Sequence, residues 1–397
     1  MGGMRDSGVE WIGEMPKDWN DCTPLRFCAS LKSATSPFDP DKPYLALENI
    51  SSWTGKVVSE EQPDQVDSLV ANYSRNDILF GKLRPYLAKV VRPTGDGQCS
   101  TELLPISPTS FDRGYLFWLL INKGFIDTVN SMTYGVKMPR TSWLQLGALY
   151  CPVPPWKEQA IIAAFLDNRC AQIDNVSQAL ESQIAILERY RASVIHEAVT
   201  RGLDLTAPTK PSGINWIGDI PLNRRLLRLK DVLQINNGRE VSSDEGSIPV
   251  YGSGGQFKWT DKPLCLSPAL LLGRKGTVNK PLLVKGPFWT VDTMFYGTQT
   301  RESDLRFIFY CASCFDFDYY QTGSTLPSMT QTDLGGILLP FPPINEQRAI
   351  ADYLDARTAA IDAVLDTKRK QLDVLKRRRQ SLIYEYVTGK RRVTEED

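Results

Sequence analysis

Two long segments of this chain repeat apolar residues at three- and four-residue steps with no interrupting proline or glycine. The first spans 156–200, directly after Pro154 and Pro155, where a helix tolerates the missing amide hydrogen. Such a narrow apolar stripe predicts a helix that pairs with another helix, roughly 65 Å long. The predicted seam residues are Ile173, Val176, Leu180, Ile184, Leu187, Val194 and Ala198.

The second long segment repeats the first. Pro152 aligns with Pro340, an offset of 340 − 152 = 188, which also carries the Glu-Gln pair at 158–159 onto the pair at 346–347. Two such seams in one chain predict that the helices pack on each other; two unrelated surface helices are the alternative. The second predicted seam comprises Ile361, Val364, Leu372, Leu375, Leu382 and Tyr386, with Lys368 in the place of Leu180.

A shorter repeat frames the helices. SGVEWIGEMP at 7–16 matches SGINWIGDIP at 212–221, an offset of 205 between Trp11 and Trp216, so the chain is a tandem of two related units. The predicted segments are a first globular region at 1–151 with an opener at 7–19, a helix at 152–200, a linker and second opener at 201–221, a second globular region at 222–339, a helix at 340–388 and a tail at 389–397.

The middle of each globular region, roughly 20–151 and 222–339, mixes short apolar runs with turn signals. We name these regions head one and head two and expect α+β folds with irregular strands. The predicted strands are 78–80, 86–91, 269–272 and 282–284, the turns 93–97 and 252–255, and the short helices 114–125 and 304–314.

The linker at 201–222 limits the topology. It contains Pro208, Pro211 and Pro221, so we expect it to be extended. Parallel helices would force the linker and head two to recross the whole helix pair, which some twenty residues span only when fully stretched. We therefore predict antiparallel helices, with the heads at opposite ends and a pseudo-two-fold axis between the two copies.

The composition argues against several kinds of site and location but identifies no partner. Lys+Arg and Asp+Glu balance at 46 each, so net charge favours no partner. The absence of an apolar run of about 18 residues and of an apolar N-terminal signal core predicts a cytoplasmic protein. The eight cysteines are scattered, and only Cys311 and Cys314 form a CxxC pair. The sequence contains one histidine, His196. We expect reduced thiols, no metal site and no histidine-based triad.

Catalytic signatures are also missing from the sequence. It contains no GxxxxGK[ST] phosphate loop, GxSxG elbow, HExxH motif or amino-methyltransferase Asn/Asp-Pro-Pro-Tyr/Phe motif. This pattern indicates a chain without catalytic or cofactor-binding residues.

Clustered positive charge inside the heads is the strongest chemical signal. In GKLRPYLAKVVRP, four cations are expected to lie together with Tyr86 among them: Lys82, Arg84, Lys89 and Arg92. Glycine-rich loops allow a close approach to phosphates, and Lys and Arg neutralise them, while polar loop tips suit base edges. Ordinary solvated loops are the alternative. The other candidate DNA contacts are Tyr134, Lys137 and Arg140 in head one, and Tyr251, Ser253, Gln256, Arg274, Lys275, Lys280, Ser324 and Thr325 in head two.

These features resemble the specificity subunits of type I restriction–modification enzymes along nearly the whole chain. The resemblance rests on the repeated S-G-x-x-W-I-G-x-x-P openers, NDILFGKLRPYLAKV, YGSGG, LLGRKGTVNKP, WTVDTMFY and the P-x-P-P-x-x-E-Q helix starts. It implies that each head is a target recognition domain reading one half of a bipartite duplex site. It also implies that the helices set the spacing and dock two methyltransferase subunits and, through them, restriction subunits.

The resemblance assigns the chemistry to other chains. S-adenosylmethionine, ATP and Mg are expected on partner subunits, and Glu158, Gln159, Glu346 and Gln347 are expected to serve capping or subunit docking. Two other functions remain open: a coiled-coil scaffold whose heads bind proteins without reading DNA, and a free enzyme with an unrecognised site. The partner-facing seam residues are Ile173, Leu180, Ile184, Leu187, Ile361, Leu372, Leu375 and Leu382.

Overall fold

The computed structural model describes residues 3–59, 62–135, 137–241, 245–320 and 327–394. The chain divides into two compact units, with unit 1 formed by Met1–Glu181 and Lys370–Asp397 and unit 2 by Ser182–Arg369. Each unit contains one head and a stretch of both long helices, because the boundaries between the units fall within the helices.

Head one of unit 1 is built on two four-stranded sheets. One sheet has the antiparallel order β4-β11-β8-β9, and the other has the order β5-β7-β10-β6, with β10 and β6 parallel. Strand β3 pairs with β12, and β1 with β2. The strands are β1 (Met4–Asp6), β2 (Glu14–Pro16), β3 (Asn20–Pro24), β4 (Ala29–Leu31), β5 (Thr35–Ser36), β6 (Tyr44–Leu45), β7 (Val70–Tyr73), β8 (Ile78–Gly81), β9 (Val90–Val91), β10 (Gly97–Cys99), β11 (Leu103–Pro108) and β12 (Tyr150–Val153).

Head two of unit 2 repeats this plan, with one strand fewer among its described residues. Its antiparallel sheet has the order β16-β22-β19-β20, and a three-stranded sheet has the order β18-β17-β21, with β17 and β21 parallel. Strand β15 pairs with β23, and β13 with β14. The strands are β13 (Thr209–Pro211), β14 (Asp219–Pro221), β15 (Arg225–Arg228), β16 (Leu233–Asn237), β17 (Ile248–Gly252), β18 (Gly255–Thr260), β19 (Ala269–Gly273), β20 (Leu282–Val284), β21 (Trp289–Thr290), β22 (Met294–Gln299) and β23 (Leu338–Phe341).

Side-chain caps mark where the head helices begin. Asp112 accepts from the Tyr115 amide at the start of α1, and Asp304 accepts from the Phe307 amide at the start of α6. The helices are α1 (Arg113–Leu120), α2 (Lys123–Ser131), α3 (Trp143–Ala148), α4 (Trp156–Arg201), α5 (Leu229–Val232), α6 (Leu305–Ala312), α7 (Phe317–Tyr320), α8 (Gln331–Gly336) and α9 (Ile344–Val387).

Most predicted elements of the heads are confirmed, and three need correction. The single helix expected at 114–125 is two helices, because α1 ends at Leu120 and Asn122, whose backbone is extended, caps α2 by accepting from the Gly124 amide. The strand expected at 86–91 is reduced to β9, because Pro85–Leu87 form a 3-10 turn. The helix predicted at 156–200 is confirmed as α4, but the segment ranges set from 152 and 340 begin too early, because they include the ends of β12 and β23, and α9 begins only at Ile344.

Within unit 1 the two long helices run antiparallel. As the residue number rises along α4, the number of the residue that it contacts in α9 falls. They join the rings of Phe165 and Tyr386 (centroids 4.4 Å apart), Asp174 and Arg379 (2.9 Å), and Glu181 and Lys376 (3.7 Å).

Within unit 2 the same direction holds. Glu188 pairs with Arg369 at 2.6 Å, and Arg191 pairs with Asp362 at 2.8 Å. The Arg357 guanidinium donates to the Tyr190 hydroxyl at 2.6 Å. The α+β fold class with long antiparallel helices is therefore confirmed in each unit.

The predicted seams are displaced at two positions. Val176 is 52 % exposed and Val364 is 45 % exposed, whereas Ser177 and Leu365 are less exposed. The observed stripe alternates steps of four and three residues, at 173, 177, 180 and at 361, 365, 368, so the prediction of Val176 and Val364 was wrong by one residue. Its members include the predicted Ile173, Leu180, Ile184, Leu187, Ile361, Leu372, Leu375 and Leu382.

Each head packs its own apolar core against the long helices of its unit. In unit 1, α1 packs with Leu166 of α4 and Tyr386 of α9, and in unit 2, α6 packs with Val199 of α4 and Leu354 of α9. No helix in the described ranges combines the length and apolar character needed to cross a membrane.

Candidate nucleic-acid interface

Two loops of head one that are distant in sequence are joined by backbone hydrogen bonds. The Arg84 amide donates to the Pro139 carbonyl at 2.7 Å, and the Thr141 amide donates to the Lys82 carbonyl at 2.9 Å. The first loop follows β8 and the second precedes α3. Together they form surface 1, which comprises Lys82, Arg84, Tyr134, Lys137 and Arg140.

Surface 1 is cationic, with one carboxylate beneath it. Glu102 lies 3.8 Å from the Lys82 ammonium and 3.4 Å from the Arg140 guanidinium. Arg84 and Lys137 are exposed, and Tyr134 is 59 % exposed. Four cations against one anion, with an accessible aromatic ring, suit a phosphate-bearing partner.

Two cations predicted to join this cluster serve the fold instead. The Lys89 ammonium donates to the Leu47 carbonyl at 2.5 Å. Arg92 makes two hydrogen bonds to Asp167, at 2.7 and 3.0 Å, and its guanidinium lies 4.4 Å from the Phe117 ring centre. The sequence pattern did not reveal these partners of Lys89 and Arg92, because they come from distant segments.

Head two repeats the backbone junction with different side chains. The Gly276 amide donates to the Pro327 carbonyl, and the Met329 amide donates to the Arg274 carbonyl, both at 2.9 Å. Pro327 is the counterpart of Pro139, since 327 − 139 = 188. The duplicated feature is thus a backbone scaffold, and each head carries its own side chains on it.

Surface 2 is the corresponding region of head two. It comprises Tyr251, Ser253, Gln256, Arg274, Lys275 and Lys280, and it joins the β17–β18 turn to the loop after β19. Thr293 links the two, because its hydroxyl accepts from the Ser253 amide at 3.4 Å and its carbonyl accepts from the Arg274 amide at 2.8 Å.

The members of surface 2 differ in how accessible they are. Lys275, Lys280 and Gln256 are exposed. The Arg274 guanidinium donates to the Asp292 carbonyl at 3.4 Å, and Tyr251 packs against the small core around Phe288. The predicted contacts Ser324 and Thr325 lie outside the described residues.

Two exposed aromatic residues beside surface 2 were missed by the sequence analysis. Phe257 and Trp259 are 59 % and 48 % exposed on β18, an edge strand. The Lys258 ammonium lies 5.8 Å from the Phe257 ring centre. The alternation in GQFKWT could have identified both rings, since residues two apart share one face of a strand.

The Glu-Gln pairs at the helix starts are internal ties. Gln159 accepts from the Asp112 amide at 2.8 Å and donates to the Pro154 carbonyl at 2.9 Å. Glu158 accepts from the Trp19 indole at 3.0 Å. In unit 1 this pair anchors the start of α4 to head one.

Unit 2 repeats these ties. Gln347 accepts from the Asp304 amide at 2.9 Å and donates to the Pro342 carbonyl at 2.8 Å. Glu346 pairs with the buried guanidinium of Arg224 at 2.6 Å.

The isolated CxxC pair is in an apolar setting. Burial raises the pKa of Cys314 to about 12 and holds the pKa of Cys311 well above its ordinary value. Both thiols therefore stay protonated and poorly nucleophilic near neutral pH. His196 contacts the Trp216 carbonyl oxygen through Nε2 at 2.5 Å and so helps attach the second opener.

Comparison with known proteins finds similarity to one family. Residues 224–374 match the family described as the type I restriction modification DNA specificity domain. The type I restriction enzyme EcoDI specificity subunit of Escherichia coli is 31 % identical over 237 residues, covering 58 % of this chain and 52 % of that protein. The alignment thus spans about half the length of that relative.

Full-length similarity is found with other proteins. The putative type I restriction enzyme MjaX specificity subunit of Methanocaldococcus jannaschii is 25 % identical and covers 96 % of both chains. A chain from a solved type I R-M system superposes with a TM-score of 0.68 at 19 % identity, covering 94 % of this chain and 99 % of the other, so the two share a fold. Residues 224–374 therefore match a type I restriction modification DNA specificity domain, and the chain as a whole is similar to type I restriction enzyme specificity subunits.

Proposed function

We propose that this chain is the non-catalytic DNA-specificity subunit of a type I restriction–modification complex. Each head reads one half of a bipartite duplex site, and surfaces 1 and 2 are the reading surfaces. The observation that carries the proposal is the shared backbone junction. It presents cations and polar tips in both heads, but with different side chains, as two readers of unlike half-sites require.

The proposed division of labour follows from the side chains. Lys82, Arg84, Arg274 and Lys275 neutralise backbone phosphates, which positions the heads without specifying sequence. Gln256, Ser253, Lys137 and Arg140 reach base edges, where amide, hydroxyl and cationic groups distinguish base pairs.

The long helices are proposed to set the spacing of the half-sites and to dock two methyltransferase subunits. Apolar side chains on the exposed helix faces support docking, since Val176 and Val374 in unit 1 and Ile186 and Val364 in unit 2 are all accessible. Restriction subunits join through the methyltransferases. S-adenosylmethionine, ATP and Mg are proposed to bind those partners.

Footprinting the complex reconstituted with its methyltransferase partner tests the proposal. We expect two protected patches about one DNA turn apart, and methylome sequencing of a host with and without this gene should identify one split motif containing adenine. The scaffold alternative requires binding without sequence preference and without a salt slope. Methyl transfer by the isolated chain would contradict the non-catalytic assignment.

A further inference from the structure

We propose that Arg84 occupies a strained backbone conformation because its side chain must reach a DNA phosphate; this inference rests on the proposed function. Arg84 has φ of 51°, in the left-handed region that L-residues disfavour. Pro85 follows it, and a residue before proline favours an extended conformation. Unrelieved strain of this kind concentrates at functional positions.

Head two shows what the loop itself requires. Gly276 stands at the equivalent position with φ of 82°, and its amide makes the same bond to a proline carbonyl. The backbone path therefore demands a left-handed residue in both heads. Glycine meets this demand without steric cost, so an arginine at the same position needs a separate reason.

The side chain of Arg84 provides no evident stabilisation of the fold. It is exposed, and it makes no hydrogen bond or ion pair with the described residues. Its neighbours Lys82 and Arg140 differ, since both face the Glu102 carboxylate. Arg84 is therefore available to an external anion, whereas the neighbouring cations are partly neutralised.

The backbone around Arg84 is fixed before any ligand arrives. Its amide donates to the Pro139 carbonyl at 2.7 Å, and its carbonyl accepts from the Leu87 amide at 2.9 Å. With the backbone already fixed, binding has only the side chain to order, and a guanidinium suits the two-pronged geometry of a phosphate.

The distribution of charge favours a phosphate over a base edge. Each loop opens with two cations, Lys82 and Arg84 in head one and Arg274 and Lys275 in head two. Lys82 and Arg274 occupy equivalent positions, because their carbonyls accept equivalent bonds, whereas the other two cations are one residue out of register. An equal number of charges on otherwise unlike loops fits the neutralisation of DNA phosphates, which are the same at every base sequence. A contact to guanine would instead contribute discrimination between sequences.

The test compares three variants within the reconstituted complex: Arg84→Gly, Arg84→Lys and the control Arg75→Ala. Arg75 is an exposed arginine before β8, whereas Arg84 follows that strand. Binding is measured over a salt series on a duplex with the methylated motif and on an unrelated duplex of equal length. Thermal unfolding is followed on the full chain.

We expect Arg84→Gly to weaken binding to both duplexes about tenfold and to lower the salt slope by about one. Its Tm should stay level or rise by about 1–3 °C, because the strain is relieved. Arg84→Lys should retain most of the binding, and Arg75→Ala should match the unaltered complex in both assays.

Several results would overturn the inference. Unchanged binding by Arg84→Gly would do so while leaving the proposed function intact. A loss confined to the motif duplex would indicate a base contact, and a fall in Tm with the loss of binding would indicate a structural role. Absence of sequence preference in the unaltered complex would instead contradict the proposed function itself.

Discussion

A buried glutamine ties each long helix to the head of its unit. Gln159 and Gln347 each satisfy one backbone amide at the start of a head helix and one proline carbonyl before the long helix. A buried polar group that loses its partner costs more than the bond contributed. Losing either side chain should therefore lower the stability of the fold by more than the loss of an exposed glutamine would.

Replacing Gln347 tests this role. We expect Gln347→Ala to lower the free energy of unfolding by about 1–3 kcal/mol, because the Asp304 amide and the Pro342 carbonyl lose their partner. Gln172→Ala is the matched control, since Gln172 bonds only Asn168 on the exposed face of α4. The control should change stability by less than about 0.5 kcal/mol in urea unfolding; equal losses would contradict the assigned role.

Asp77 makes the stability of head one depend on pH. Burial raises the pKa of its carboxyl, but hydrogen bonds from Lys32, Ser107 and the Ser74 amide outweigh burial and leave the pKa below 3.8. The folded state therefore prefers the ionised form more strongly than the unfolded chain does. This stabilisation is present above the unfolded pKa and is lost as pH falls through the lower, folded pKa.

Asp77→Asn tests that sign. At pH 7 the variant should lose about 1–3 kcal/mol, because the bonds to a charged group are weakened. The difference from the unaltered chain should shrink as pH falls below about 4. Unfolding curves between pH 3 and 7 measure it, and a difference that grows on acidification would refute the account.

At the scale of elements, the duplication produces two equivalent ion pairs. The aspartate lies on α4 in one pair and on α9 in the other. Asp174 pairs with Arg379 in unit 1, and Asp362 pairs with Arg191 in unit 2. Both members shift by the same offset, since 362 − 174 = 188 and 379 − 191 = 188. The environments differ because Arg379 also donates to the Trp53 carbonyl at 2.8 Å.

This pair provides an internal comparison. The Arg379 side chain is 9 % exposed and that of Arg191 is 33 % exposed. We expect Arg379→Ala to cost about 3 kcal/mol, since it leaves a poorly solvated carboxylate and a carbonyl unpaired. Arg191→Ala should cost less than about 1 kcal/mol. Denaturant unfolding of both variants checks the order, and a reversed order would contradict it.

A second set of ion pairs distinguishes the helices. Glu181 pairs with Lys376, and Glu188 pairs with Arg369. The counterpart of Glu181 is Arg369 and that of Glu188 is Lys376, so charge changes sign between equivalent positions. These acidic positions of α4 and basic positions of α9 attract each other, whereas either helix paired with a copy of itself would place like charges together.

Reversing the acidic side should reveal this preference. We expect Glu181→Lys with Glu188→Lys to lower stability by about 1 kcal/mol at low salt. Adding Lys376→Glu and Arg369→Glu should restore most of the loss. Thermal unfolding at low and high salt measures both effects, and a loss that persists unchanged at high salt would exclude an electrostatic origin.

At the scale of the whole molecule, each unit completes its own reading surface. The bonds that join the loops of surface 1 lie within unit 1, and those of surface 2 lie within unit 2. Under the proposed function, a change on one surface should alter one half of the DNA site and leave the other half intact.

Gln256→Ala and Tyr134→Ala test this independence. The first variant should relax base preference by about tenfold in one half of the methylated motif, and the second should affect only the other half. Methylome sequencing of hosts carrying each variant gives the readout. Relaxation of both halves by one substitution would contradict separate readers.

Features of the fold that depend on local sequence could be predicted from the sequence alone. The helical period, the 188-residue offset and the prolines before each long helix predict two antiparallel helices, because they depend on neighbouring residues and on linker length. The seam position at Ser177 was missed because the prediction followed apolar residues, whereas the contact stripe alternates steps of four and three residues and includes a polar residue there.

The sequence by itself therefore determined the duplicated frame, the loops rich in positive charge and the family they resemble. Which of those charges face outward was determined by tertiary contacts alone. Arg92 is bound by Asp167 and Lys89 by the Leu47 carbonyl, whereas Arg84 remains exposed. The physical reason is that a cation is neutralised by whatever folding brings within a few ångströms of it, and those partners come from distant parts of the chain.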